Sequence, residues 1–250
     1  MNEDKLQSFI QIGDQLKALS DQIRQRINEM LEQAPLDYRG RVLVGLGLKA
    51  YRCFEVLHHL AEQRRSESLI LLKTLVETWI YLHYVAQDPS DQGARLLIAK
   101  SYAAKVSFFE KNPDYPNQAN YLDSWRKAKD NQIQNLTEEW KNFKTKTLEQ
   151  IACSINRDMG RWYYHVYKLA CEPAHIADLV EHMPASPQGP ISLDLESSRL
   201  ATLMSVVALD YGLLIMIDIL RNASELFSLG FEADLGSIEQ AVMSERQKIA

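Results

Sequence analysis

The sequence predicts an all-α fold, a multi-helix bundle of long antiparallel helices with no sheet, and three observations lead there. Only 10 Gly and 8 Pro stand among 250 residues, and they cluster, leaving long uninterrupted segments instead of the frequent breaks of a strand-and-turn protein. Hydrophobic residues make up 46% of the chain, enough to bury a substantial core. The apolar residues recur at spacings of three, four and seven, the period of a helix face. One helical domain spanning residues 1–250 is the expected organisation.

From about Lys5 to Leu31, Phe9, Leu16, Ile23, Ile27 and Met30 form one apolar stripe. The segment APLDYRG, with Pro35 and Gly40, then makes a turn. A second helix is expected from about Val42 to Gln63. Ser66 is placed to cap a third, in which Leu69, Leu72, Leu75, Val76, Trp79, Ile80 and Leu82 leave little polar face, the pattern of a central helix. Asp88-Pro89 reads as a restart, aspartate capping and proline in the first turn, where its missing N–H costs nothing. The fourth helix runs on to about Lys111.

Residues 112–117, NPDYPN, are a loop, and a polar helix is expected over about 118–143, so that 112–146 forms a polar helical excursion. Thr147-x-x-Gln150 has the form of a capping box opening a short helix that ends near Asn156. An aromatic helix, Arg161 to Ala170, follows. Pro184, Pro187, Gly189 and Pro190 mark a linker at about 183–192. After it, one long apolar helix runs from about Leu193 to Leu229, with Gly212 as a point for a bend, and a weaker amphipathic helix follows Gly236. The core helices are expected to be the third, the aromatic one and the long one after the linker.

The balance of 28 basic against 33 acidic side chains sets a net charge of -5, so no global positive field draws the chain to nucleic acid or anionic lipid. The small basic clusters at Arg64-Arg65, Arg126 to Lys129 and Lys141 to Lys146 read as solvated helix faces. Cys53, Cys153 and Cys171 are odd in number and lack metal-type spacing, which indicates neither a disulfide framework nor a structural zinc site. A cytoplasmic, reducing setting fits them, and no cofactor is indicated. The acidic, amphipathic start MNEDKLQSFI is unlike a signal peptide. The most apolar run, Val206 to Leu220, carries Asp210 and Asp218 and reads as a core helix too short to span a bilayer, so no membrane partner is expected.

Three constellations carry chemistry. Glu55-x-x-His58 and Glu172-x-x-His175 have the spacing of di-metal helical bundles, in which Glu77 and Glu110 would supply the remaining carboxylates. Pro173 biases Glu172 away from helical geometry, which undoes the shared face that motif needs. Lys73-x-x-x-Glu77 sits in the most apolar helix, where charges must pair, face a cavity or reach a narrow solvent strip. Asp210 and Asp218 are candidate partners for Lys73, and Asp218 has Arg221 three residues on. In YYHVYKLACEPAH, Tyr163, Tyr164 and Tyr167 share a turn, Lys168 follows, and His175 comes seven residues later. Histidine beside a cation is the equipment of metal-independent RNA cleavage. A structural histidine held by a backbone carbonyl is the competing reading.

LILLKTLVETWIYLHYVAQDP followed by YYHVYKLACEPAHIADL resembles a family of helical bacterial proteins known only as a domain of unknown function. The resemblance covers roughly residues 40–180. It implies polar family positions at Lys73, Glu77, Tyr167, Lys168 and His175. Lysine stands at 73 and 168 where that family usually has arginine, which keeps the charge and loses the planar fork, and Ala170-Cys171 replaces a leucine-serine pair. The spacing of its basic residue and histidine is similar to that of the HEPN superfamily, all-helical proteins that include dimeric ribonucleases of toxin and antiphage systems. Arg161 and Arg157, with three and seven residues between them and His165, are other basic–histidine pairs.

Three function classes therefore stand. One is a non-catalytic interaction or regulatory module, a homo-oligomer or a binder of another protein, in which the polar positions fix helix packing. The second is a HEPN-like ribonuclease with His175 as acid or base, Lys168 or Lys73 stabilising charge, Glu77 orienting and RNA as substrate. The third is a di-metal bundle. The acidic charge and the replaced arginines favour the first.

Overall fold

The protein is described by a computed structural model over residues 2–33, 35–114, 118–143, 147–171 and 199–248. The linker at 183–192 and Glu172, Pro173 and His175 lie outside the described residues. Among those residues the fold is all-α, without a strand.

Helix α1, Asn2–Gln33, follows its predicted stripe, burying Phe9, Leu16 and Ile23. Helix α2, Tyr38–Glu62, starts earlier than Val42 because Asp37 caps it, its Oδ1 accepting the Gly40 N–H at 2.6 Å. It ends in a Schellman turn, with Arg65 N–H donating to the Leu60 carbonyl at 2.9 Å and Arg64 N–H to Ala61 at 3.0 Å. Arg64 occupies the left-handed region there, at φ 54.

Helix α3, Ser68–Gln87, buries Leu72, Leu75, Val76 and Ile80 completely. Each such side chain contributes about 1.5–3 kcal/mol by leaving water. Ser66 does not cap it through its side chain; its backbone carbonyl instead accepts the Leu69 N–H at 3.0 Å. Arg39 of α2 closes the other end, donating to the carbonyls of Val85 and Ala86, where a cation meets the negative end of the helix dipole.

Helix α4, Gln92–Lys111, begins later than Asp88-Pro89 implied. Asp88 still caps it from a preceding turn: Oδ2 accepts the Gly93 N–H at 2.8 Å and Oδ1 takes Ser90. The polar excursion forms two helices, α5 (Gln118–Gln134) and α6 (Glu138–Phe143), interrupted before Thr137. α5 folds back on α4 through Phe109 and Trp125, whose rings are 4.8 Å apart. Tyr38 O–H donates to Gln132 at 2.9 Å and the Trp140 ring meets Tyr84 at 5.8 Å, so the excursion returns to the bundle.

Helix α7, Leu148–Ile155, opens with the expected capping box, Thr147 and Gln150 bonding reciprocally at 3.2 and 2.8 Å. The aromatic helix begins at Arg157, ahead of the expected Arg161, because Asn156 caps it. It comprises α8 (Arg157–Trp162), a π-turn Tyr163–Tyr167 and α9 (Lys168–Cys171).

Helix α10, Arg199–Phe227, runs unbroken through Gly212, which faces Leu57 of α2. A second Schellman turn ends it, Ser228 at φ 51 and Leu229 N–H donating to Ser224 at 2.9 Å. The last helix, α11 (Glu232–Gln247), starts before Gly236 rather than after it, since Ser224 Oγ accepts the Phe231 N–H and donates to Glu232.

The core lies where α1, α2, α3 and α10 meet, with α11 against α1 and α10, and α7 to α9 against α3. α3 and α10 hold the central place expected of them, while the aromatic helix packs on one side of α3; α2 shares the centre through Phe54, Leu57 and Ala61, and in its apolar start Leu43 is buried but Leu48 is exposed. Ser68–Gln87 and Ala201–Phe227 are each long and apolar enough to cross a bilayer by length and composition. More than half of each is buried within the bundle, which accounts for that apolarity.

Candidate functional site

On α3, Lys73, Glu77 and Tyr81 stand four residues apart and form one half-buried stripe. That stripe faces the π-turn and α9, which insert Tyr163, Val166 and Ala170 into the core. In the π-turn the Lys168 N–H reaches back to the Tyr163 carbonyl, five residues away. The wider winding brings Tyr163 and Tyr167 nearly into line, their rings stacked at 4.8 Å and 17°. Such turns recur at functional sites.

Lys73 Nζ lies 5.8 Å from the centre of the Tyr167 ring and Lys168 Nζ 5.9 Å from that of Tyr163. Both distances sit near the outer limit of a cation–π contact. Burial first, then Cys171 and Glu77, push the Tyr167 phenol up to about 12. Burial and Glu77 raise Tyr81 in the same way. Both phenols stay protonated at neutral pH, able to donate a hydrogen bond and unable to act as bases. Among the described residues, Lys73 and Glu77 form no ion pair with each other.

The fold thus brings Lys73, Glu77, Tyr167 and Lys168 to one seam. Tyr81 joins them, and its four-residue step from Glu77 was the signal that could have found it. His175 lies outside the described residues. Neither α10 aspartate reaches Lys73: Asp210 Oδ2 accepts from Arg246 Nε at 3.1 Å, and Asp218 accepts from Trp79 and His83. Oδ1 of Asp210 is 2.9 Å from the same nitrogen but off the N–H direction, leaving it without a hydrogen bond. Nor does Asp218 close on Arg221, which pairs with Glu239 at 2.6 Å.

The di-metal arrangement is not assembled among the described residues. Glu110 is on the α4–α5 arm, paired with Arg126 at 2.7 Å, while His58 is sealed between α1 and α2 with Nε2 3.0 Å from the Ile10 carbonyl. Of the other histidine pairings, Arg161 engages Asp158 at 3.4 Å, and both it and His165 face solvent.

A cavity of about 390 Å³ opens elsewhere, among α1, α2, α3 and α10, lined in part by Ile23, Leu43, Tyr51, Leu82, Met216 and Leu220. None of the five seam residues lines it.

The fold and the seam define an all-helical bundle whose central helix packs a lysine–glutamate stripe against a tyrosine-bearing π-turn. Residues 40–185 match the model of a family of unknown function (DUF5677), and the chain belongs to that family. Comparison with curated proteins and with solved structures finds no match.

Proposed function

We propose that this chain is a non-catalytic helical interaction module, in which the seam fixes how the aromatic helix docks on α3. The observation that carries this reading is the state of the seam itself. Its two ammonium groups rest over tyrosine rings, and its phenols are held neutral by burial. Such groups orient helices and contribute no base.

The basic clusters support the same reading. Arg64 pairs with Glu3, Arg65 with Glu67, Arg126 with Glu110 and Lys141 with Glu138. Locally neutralised cations make a poor track for a phosphate backbone. The partner is another protein chain, a second copy of this one or a different protein, in a reducing cytoplasmic compartment compatible with three free thiols.

A HEPN-like metal-independent ribonuclease is the second reading, favoured by the two lysines and stacked tyrosines at the seam. Incubating a fluorogenic RNA with the parent, His175→Ala and Lys73→Ala separates the two. The interaction reading expects the same background signal from all three. Cleavage by the parent that His175→Ala abolishes would establish the nuclease instead.

A further inference from the structure

His58 is fully buried where the end of α2 crosses α1. Its Nε2 is 3.0 Å from the Ile10 carbonyl oxygen, which can only accept, so Nε2 carries the ring proton. In the neutral ring Nδ1 is then a lone pair, buried and without a hydrogen-bond partner. It faces Glu62 Oε1 at 3.7 Å, one electron-pair donor pointed at another. A buried polar atom left this way is costly unless something electropositive stands between them.

The surroundings hold the ring in place. At Gly13 of α1 a Cβ would stand 2.4 Å from His58 Cδ2 and 2.6 Å from Nε2, so only glycine admits the imidazole against that helix. Glycine inside a helix weakens it relative to alanine, and here the close approach accounts for it. On the other side, Gln63 Nε2 meets His59 Nε2 at 2.9 Å, which leaves the His59 proton on Nδ1, 3.5 Å from Glu62 Oε2. The second carboxylate oxygen thus lies beside His59 at the surface, and Oε1 beside His58. Asp14 Oδ1 stands by the other ring nitrogen, 3.6 Å from His58 Nε2, and one ligand atom from each of the three residues lies within 4.8 Å of the others.

We propose that Asp14, His58 and Glu62 bind a divalent cation of the zinc class, through His58 Nδ1 and the two carboxylates, with water completing the coordination. One imidazole and two carboxylates suit a borderline transition metal. Its carbonyl-bound second nitrogen is the usual setting of a ligating histidine. Metal–ligand bonds of about 2.0–2.2 Å at a tetrahedral angle separate nitrogen from oxygen by about 3.4 Å. The 3.7 Å between Nδ1 and Oε1 closes to that with a small side-chain movement. Asp14, whose side chain is exposed, must swing from the Nε2 edge toward Nδ1 and give up its pair with Lys17, 3.2 Å away, and such pairs hold weakly. Asp14 lies outside the family-matched residues 40–185, so the ion ties α1 to the matched domain.

Protein stripped with a chelator is titrated with zinc chloride by calorimetry and with cobalt(II) by visible absorption. The parent is expected to take up zinc saturably, with cobalt bands of low symmetry. Glu62→Gln and Asp14→Asn should each weaken zinc uptake by about 10–100-fold, with Glu55→Gln unchanged. These carboxylate variants keep the test open should His58→Ala fail to fold. No saturable uptake by folded parent, or uptake equal in parent and both carboxylate variants, would overturn the site. So would an imidazolium signal for His58 at neutral pH that zinc leaves unmoved, since a proton would then occupy Nδ1.

Discussion

His83 of α3 donates from Nε2 to Asp218 Oδ2 of α10 at 2.6 Å, and the Trp79 indole donates to the same oxygen at 2.7 Å. These bonds lock the two most apolar helices in register. The sequence offered Asp218 as an anomaly among isoleucine and leucine, without saying which groups on a distant helix would satisfy it.

Burial by itself pushes the Asp218 carboxyl up, but the bonds from His83 and Trp79 and the charges of His83 and Arg221 outweigh it, holding it below its ordinary 3.8. An aspartate with a depressed value stabilises the fold above its unfolded value and loses that contribution as pH falls through the folded one. Asp218→Asn should cost about 1–3 kcal/mol at pH 7, toward the lower end because the carboxylate is partly exposed. Urea melts at pH 7 and pH 3 check this. The gap between parent and variant should shrink at pH 3, and an equal gap at both would refute it.

Asp210 behaves oppositely. Burial raises it more than Arg246 and Lys5 lower it. A carboxyl raised in the folded state weighs against stability once ionised, and acidification through that range relieves it. Asp210→Asn is expected to change stability at pH 7 by less than about 1 kcal/mol, while Arg246→Met, which strands the buried carboxylate, costs about 1–3 kcal/mol. Thermal melts of both variants rank them, and a larger loss in Asp210→Asn would contradict the burial argument.

Tyr167, pushed up to about 12, implies an alkaline limit. Its contribution is intact below the unfolded value of 10.0 and is lost as pH climbs toward the folded one. Between pH 10 and 12 the parent should lose stability more steeply than Tyr167→Phe. Denaturant midpoints across that window measure the difference, and parallel slopes would place Tyr167 in a more solvated setting.

Ser228 and Arg64 adopt left-handed backbone where glycine is the unstrained choice. Ser228→Gly should raise stability by about 0.5–1 kcal/mol, the relieved strain partly offset by a more flexible unfolded chain. A lowered melting temperature would show that its side chain matters more than its φ.

The fold class was legible because helix periodicity and the scarcity of Gly and Pro are local properties. So was the Thr147–Gln150 box, whose partners are three residues apart. Two boundaries were misread because a cap acts from outside the first turn. Asp88 reaches Gly93 across five residues, and Ser224 captures Phe231 and Glu232 from the preceding helix.

By itself the sequence determined that the chain is a helical bundle and that α3 and α10 belong to its core, and it marked Lys73, Glu77, Tyr167 and Lys168 as candidates. Tertiary structure alone decided who meets whom. Asp218 sits 135 residues from His83 in the chain, and Ile10 sits 48 from His58. Helix packing settles such pairings by matching apolar faces, and a polar side chain takes whatever donor that match leaves within reach.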